Sequence, residues 1–78
     1  MKKEILDLIK TDVCEIKFEV ALRVKDVLFT IEEIENHLEV YSSENGSRTI
    51  FNDFDDVLKK FIINGKPLIE QIDFLEYA

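Results

Sequence analysis

The chain has 78 residues, of which 46% are hydrophobic, and a net charge of −7. This length fits one small domain, residues 1-78, and the hydrophobic fraction argues against disorder. The excess of carboxylates argues against direct binding of nucleic acid, which needs clustered Lys and Arg. The single cysteine, Cys14, excludes an internal disulfide and is typical of a reducing compartment.

The start of the chain does not read as a targeting segment. Lys2 and Lys3 would suit a signal peptide, but Glu4 and Asp7 interrupt the apolar run that such a peptide needs. No apolar stretch approaches the roughly 20 residues that span a bilayer. We therefore expect a cytoplasmic protein that does not contact a membrane.

The first predicted element is a helix over residues 3–11, because Ile5, Leu8 and Ile9 follow the i, i+3, i+4 spacing of an amphipathic helix. From Cys14 onward, the apolar residues alternate with polar ones as far as residue 24. This alternation predicts a half-buried strand.

Residues 20–38 also fit a single long helix. Five consecutive alternations of apolar and polar residues, together with many β-branched residues, favour strands over this helix.

Three further strands follow in the prediction. Val27–Glu32 comes after a tight turn, His37–Ser43 comes after a polar connection, and Arg48–Phe51 comes after Asn45-Gly46. The Asn-Gly pair is the strongest hairpin signal in the chain, because a type I′ turn needs positive φ at both central residues.

A two-residue turn at Asn45-Gly46 would set the register of the last two strands. Val40 would then face Phe51 and point into the core with Leu38. The opposite face would carry Glu39, Tyr41, Ser43, Arg48 and Ile50. Tyr41 and Ile50, beside Glu39, would form a candidate contact patch.

The remaining residues predict two helices. Apolar residues at i, i+3, i+4, i+7 and i+8 predict an amphipathic helix over residues 54–62, capped by Asp53. Asn64-Gly65 would end it, and Pro67 would begin a second helix with Leu68, Ile69 and Ile72 facing inward. Residues 74–78 would continue that helix or form an extended tail.

The predicted fold class is therefore α+β, with a single small domain. It consists of an antiparallel four-stranded sheet with helices on one face, in the order α-β-β-β-β-α-α. The other face of the sheet would stay wet unless a partner covers it, since the chain is too short to supply a second layer.

The negative charge is concentrated in the middle of the chain. Residues 27–58 contain Arg48 as their only basic residue, whereas the segments before and after are neutral. The acidic residues of this segment are Glu32, Glu33, Glu35, Glu39, Glu44, Asp53, Asp55 and Asp56. Such asymmetry indicates a surface that selects partners by the sign of their charge.

Asp53-Phe54-Asp55 follows a short apolar run, and this order resembles the nucleophile motif of haloacid-dehalogenase-type phosphatases. The resemblance implies that Asp53 attacks phosphorus and Asp55 acts as acid and base. That family also needs a parallel α/β sheet, a basic residue for the phosphate and a distant acidic pair for magnesium. The 20 residues after Leu58 are too few to supply them. We therefore expect these aspartates to start a helix, where negative charge is favourable.

The sequence predicts no other catalytic, cofactor or metal site. His37, the only histidine, is expected at an exposed strand edge, since a zinc site needs three or four protein ligands. Cys14 is expected to be a buried structural thiol at the start of the first strand. The protein is accordingly expected not to be an enzyme and to need no cofactor.

The leading function hypothesis is a small acidic binding protein that inhibits or sequesters a basic partner protein, such as a nucleic-acid-binding protein. In size, charge and element order it is similar to nuclease immunity proteins, antitoxin-like inhibitors and phage-encoded nucleic-acid mimics. The predicted partner-binding residues are Glu32, Glu33, Glu35, Glu39, Tyr41, Asp53 and Asp55. The alternative is a structural or regulatory homo-oligomer, for example a homodimer, with Tyr41 and Ile50 at its interface.

Overall fold

The computed structural model describes residues 2–78. It confirms a small α+β domain with an antiparallel sheet and helices packed on it. In chain order the elements are α1 (Lys2–Lys10), a π-helical turn (Thr11–Glu15), β1 (Val20–Val24), β2 (Val27–Ile34), β3 (His37–Ser42), β4 (Arg48–Phe51), α2 (Phe54–Lys60), β5 (Ile62–Ile63), β6 (Lys66–Pro67), a 3₁₀ segment (Leu68–Phe74) and β7 (Leu75–Tyr77).

The main sheet has five strands in the order β4-β3-β2-β1-β7, and each strand runs antiparallel to its neighbours. Residues 20–38 form strands, so the alternative long helix is wrong. The strand of this sheet that the sequence did not predict is β7, which pairs with β1 and places Leu75 opposite Val24. With three residues, β7 is too short to show an alternating pattern.

The first strand begins at Val20, six residues after its predicted start at Cys14. The backbone N–H of Ile16 donates to the carbonyl of Thr11 at 3.0 Å, and that of Phe18 donates to the carbonyl of Asp12 at 2.8 Å. These bonds keep the chain in a helical turn, so the side chains of Ile16 and Phe18 are exposed. Cys14 therefore lies in the π-helical turn and not at the start of a strand.

The third and fourth strands pair two residues away from the predicted register. Val40 faces Thr49 and Leu38 faces Phe51, because residues 43–47 form a five-residue loop. Only Gly46 has a positive φ there (73°), so Asn45-Gly46 does not form a type I′ turn. A shift of two residues preserves the side-chain faces, and Leu38, Val40 and Phe51 are buried as predicted.

Two-residue turns with positive φ at both positions occur elsewhere. Glu35 and Asn36 (φ 51° and 69°) join β2 to β3. Asn64 and Gly65 (φ 56° and 79°) join β5 to β6 in a small second sheet.

Asn64-Gly65 therefore does not end a helix. α2 ends at Lys60, and Phe61 is already extended, with φ −73° and ψ 117°. This leaves Ile62 exposed instead of inward-facing.

The last helical segment is held by a buried glutamine. Ile69 is exposed, contrary to the prediction, whereas Leu68 and Gln71 are buried. The Gln71 side chain donates from Nε2 to the carbonyls of Ile63 at 2.6 Å and Lys66 at 3.0 Å. Its amide thus satisfies backbone carbonyls of the β5–β6 hairpin and ties that hairpin to the 3₁₀ segment.

The hydrophobic core lies between the main sheet and the helices. Phe61 packs against Phe29 and Phe51, with ring centroids 5.2 and 6.3 Å apart. The other buried apolar side chains are Ile9, Val13, Val20, Leu22, Val24, Ile31, Leu38, Val40, Phe54, Val57, Leu58, Ile63, Leu68 and Leu75. Within residues 2–78, no helix is long and apolar enough to cross a membrane.

Candidate functional site: an acidic cleft

A cleft of about 320 Å³ opens on the helix side of the main sheet, where the end of α1, the β2–β3 turn and the β4–α2 junction meet. We call it the acidic cleft, because three carboxylates and a single lysine line it. Its lining residues are Lys10, Cys14, Glu33, Asn36, Leu38, Asn52, Asp53, Phe54 and Asp55.

Asp53 and Asp55 reach the cleft because α2 begins there. Asp53 has extended backbone angles, and its Oδ1 accepts a hydrogen bond from the backbone N–H of Asp56 at 2.9 Å. It is therefore the N-cap, as the sequence predicted. Asp55 is exposed in the first turn and has no hydrogen-bond or ion-pair partner among the described residues.

Glu33 reaches the same cleft from the sheet. β2 extends to Ile34, and Glu33 lies opposite Leu38, so its side chain is on the helix side. There it forms an ion pair with Lys17, whose positive φ of 70° belongs to the segment leading into β1. Glu35 follows in the exposed β2–β3 turn, next to the lining residue Asn36.

The Cys14 side chain lines the cleft and is half-buried, not fully buried as predicted. Burial raises its pKa, and the charge and hydrogen bond of Glu33 raise it further, although Lys10 and Lys17 act in the opposite direction. The thiol is therefore protonated at neutral pH, a state that is a poor nucleophile.

The other predicted residues lie on the opposite face of the sheet. We call it the open face, because none of the helices in residues 2–78 packs on it. Glu32 and Glu39 are directly opposite each other on β2 and β3. Glu39 lies 3.1 Å from His37 Nε2 and 3.8 Å from Arg48. Glu32 has no such partner within the described part of the chain, and Tyr41 is exposed beside this pair.

The seven predicted residues therefore form two groups. Glu33, Asp53 and Asp55 meet at the acidic cleft, with Glu35 next to it, whereas Glu32, Glu39 and Tyr41 lie on the open face. Neighbouring residues of a strand point to opposite faces, and this separates Glu32 from Glu33. The sequence prediction rested on charge and did not consider which face of the sheet each residue occupies. The two-residue period of a strand could have shown that Glu32 and Glu33 point to opposite faces. The prediction also did not include the lining residues Lys10, Asn36 and Asn52, for which no pattern gave a signal.

The surroundings of Asp53 differ from those of a phosphatase nucleophile. β4 is an antiparallel edge strand and not a central parallel one. Within residues 2–78, no group of three or more His, Cys, Asp or Glu could hold a metal ion. His37 is half-buried on an interior strand, so its prediction as an exposed edge residue is wrong.

The fold and cleft define a small acidic α+β domain. Comparisons with protein-family models, curated proteins and solved structures found no match to this chain.

Proposed function

We propose that this protein is a cytoplasmic, non-catalytic binding protein that sequesters or inhibits a basic partner protein. The acidic cleft would receive a lysine or arginine side chain of that partner. The observation that carries the proposal is the cleft lined by Asp55, Asp53 and Glu33, with Glu35 in the adjoining turn. Asp55 and Glu35 are exposed, and neither has an ion-pair partner among the described residues.

The size of the cleft supports a single bound side chain. Its volume of about 320 Å³ is at the small end of ligand pockets, which span roughly 300–1,000 Å³. Carboxylates bind a guanidinium group through paired, charge-assisted hydrogen bonds. Asn36 and Asn52 would add neutral acceptors at the same opening.

The net charge of −7 supports the same partner chemistry at longer range. An excess of charge of one sign raises the association rate of an oppositely charged partner. Nucleic-acid-binding proteins are basic partners of this kind. Because the carboxylates are divided between two faces, we favour insertion of one basic side chain over mimicry of an extended phosphate backbone.

The test compares two variants that remove the same charge. Glu35→Gln with Asp55→Asn changes the cleft, whereas Glu32→Gln with Glu70→Gln removes two exposed or half-buried carboxylates elsewhere. Each protein is used as bait in a lysate of the source cell. We expect the wild type and the control to capture the same basic protein, and the cleft variant to lose at least about tenfold in affinity, or 1.4 kcal/mol.

Salt provides the second readout. Affinity for the captured partner should fall steeply between about 50 and 500 mM NaCl, because screening removes long-range attraction. Equal capture by both variants, or an affinity that does not change with salt, would contradict the proposal.

A further inference from the structure

The open face of the main sheet has an apolar centre. A shallow hollow of about 250 Å³ is lined by Ala21, Leu28, Thr30, Tyr41 and Ala78, together with Leu22, Phe29 and Ser43. Ile50 on β4 lies on the same face, opposite Glu39. We propose that this face docks a second copy of the chain, so that two sheets pack face to face.

The exposed apolar side chains on this face are neighbours. Leu28, Tyr41 and Ile50 are 48%, 41% and 64% exposed and lie on β2, β3 and β4. The register places Leu28 diagonally beside Tyr41, and Tyr41 diagonally beside Ile50. A contiguous apolar patch of this kind marks a contact surface more strongly than scattered single residues do.

The charge of the face indicates which partner covers it. Arg23 forms an ion pair with Glu76, and Arg48 lies 3.8 Å from Glu39, so that Glu32 is the one unpaired carboxylate among the described residues of this face. The face is therefore close to neutral, although the whole chain carries −7. A basic partner gains little by binding here, whereas a second copy meets less repulsion here than at an acidic surface.

The shape of the face also suits a second copy. A two-fold interface brings the same patch of both subunits together, so it needs a hollow and a projection on one surface. The small side chains of Ala21 and Ala78 contribute to the hollow, and the exposed Ile50 lies diagonally from Tyr41, which lines it. Two sheets pack about 10 Å apart through such side chains.

The area of the open face sets the affinity that we expect for the dimer. Five strands about 4.8 Å apart and on average about five residues long present roughly 400 Å² per partner, less than the roughly 800 Å² of a standard interface. We therefore expect a dimer in the micromolar range.

Sedimentation velocity from about 1 to 300 µM tests this proposal. The wild type should pass from monomer to dimer in that range, and Ile50→Lys should weaken the dimer at least tenfold. The matched control is Ile62→Lys, because Ile62 is also exposed (54%) and in a short strand, but lies on β5 outside the open face. Its dimer affinity should stay within about twofold of the wild type.

Salt separates this proposal from the acidic-cleft proposal. Dimerisation of two chains of equal negative charge should become tighter as NaCl rises from about 50 to 500 mM, whereas binding of a basic partner should become weaker. A wild type that stays monomeric up to about 300 µM would overturn the inference. So would equal weakening by Ile50→Lys and Ile62→Lys. Neither result affects the cleft, which lies on the other face of the sheet.

Discussion

At the residue scale, Tyr77 links the last strand to the first helical region. Its hydroxyl donates to Asp12 Oδ2 at 3.0 Å, and this contact joins β7 to the π-helical turn. Burial raises the pKa of Tyr77, and the hydrogen bond and charge of Asp12 raise it further. The folded protein therefore holds the phenolic proton more tightly than the unfolded chain does.

This difference predicts a loss of stability at alkaline pH. Because the folded-state pKa is raised, the contribution of Tyr77 is fully present below the unfolded value, about 10, and is lost as pH rises through the folded value. Between about pH 9 and 11, the free energy of unfolding of the wild type should fall more steeply than that of Tyr77→Phe. Urea denaturation at each pH measures both slopes.

Tyr41→Phe is the matched control for Tyr77→Phe, because its hydroxyl has no hydrogen-bond partner among the described residues. Tyr41→Phe should follow the wild type. Parallel slopes for the wild type and Tyr77→Phe would show that the bond to Asp12 does not contribute.

At the element scale, the sequence predicted those features that repeat along a strand or helix. The alternation in residues 20–24 and the stripe from Phe54 to Phe61 identify buried faces, and the structure confirms both. Alternation at Ile16 and Phe18 led to a wrong prediction, because hydrogen bonds from their backbone N–H groups to Thr11 and Asp12 bend the chain. A buried Gln71 and a three-residue β7 have no periodic signature at all.

The acidic cleft shows the same limit. The sequence predicted Asp53 as a helix cap, because capping depends on residues close together in the chain. That Asp53 and Glu33 share one cleft depends on how α2 packs on the sheet, so it had to come from the structure.

The backbone angles of the turns predict that replacing Asn36 or Asn45 with glycine changes the free energy of unfolding in opposite directions. Asn36 has φ 69°, a conformation that costs free energy for any residue with a Cβ, whereas Asn45 does not have positive φ. Asn36→Gly should raise the free energy of unfolding by about 0.5 kcal/mol, because strain is relieved. Asn45→Gly should lower it by about 0.4–1 kcal/mol, because the unfolded chain gains freedom. Urea denaturation of both variants at one pH tests the signs, and a gain at Asn45 would contradict the assignment of the turns.

At the scale of the whole molecule, the two proposals occupy opposite faces of one sheet. A dimer formed through the open faces would leave an acidic cleft exposed on each copy. Both subunits could then bind a basic partner at once, and a partner with two basic sites would gain avidity. Division of the charge between faces thus permits self-association in a chain with a net charge of −7.

The same net charge predicts that salt stabilises the fold. At about 10 mM salt the Debye length is about 30 Å, which matches the longest dimension of the molecule, 30 Å, so all the excess carboxylates repel one another. At about 0.1 M salt the Debye length is about 10 Å, and only neighbouring charges still interact. Three ion pairs keep more of their attraction, because their partners are in contact; they are Lys17–Glu33, Arg23–Glu76 and Lys60–Asp56.

We therefore expect the free energy of unfolding in urea to rise by about 1 kcal/mol between about 10 and 100 mM NaCl. Measurement at about 1 µM protein keeps self-association out of the comparison. Glu35→Gln with Asp55→Asn removes two charges that have no ion-pair partner within residues 2–78, so this variant should be more stable at low salt and gain less from added salt. A wild type that loses stability over this range would mean that ion-pair attraction outweighs repulsion among the carboxylates. The acidic surface would then not destabilise the fold.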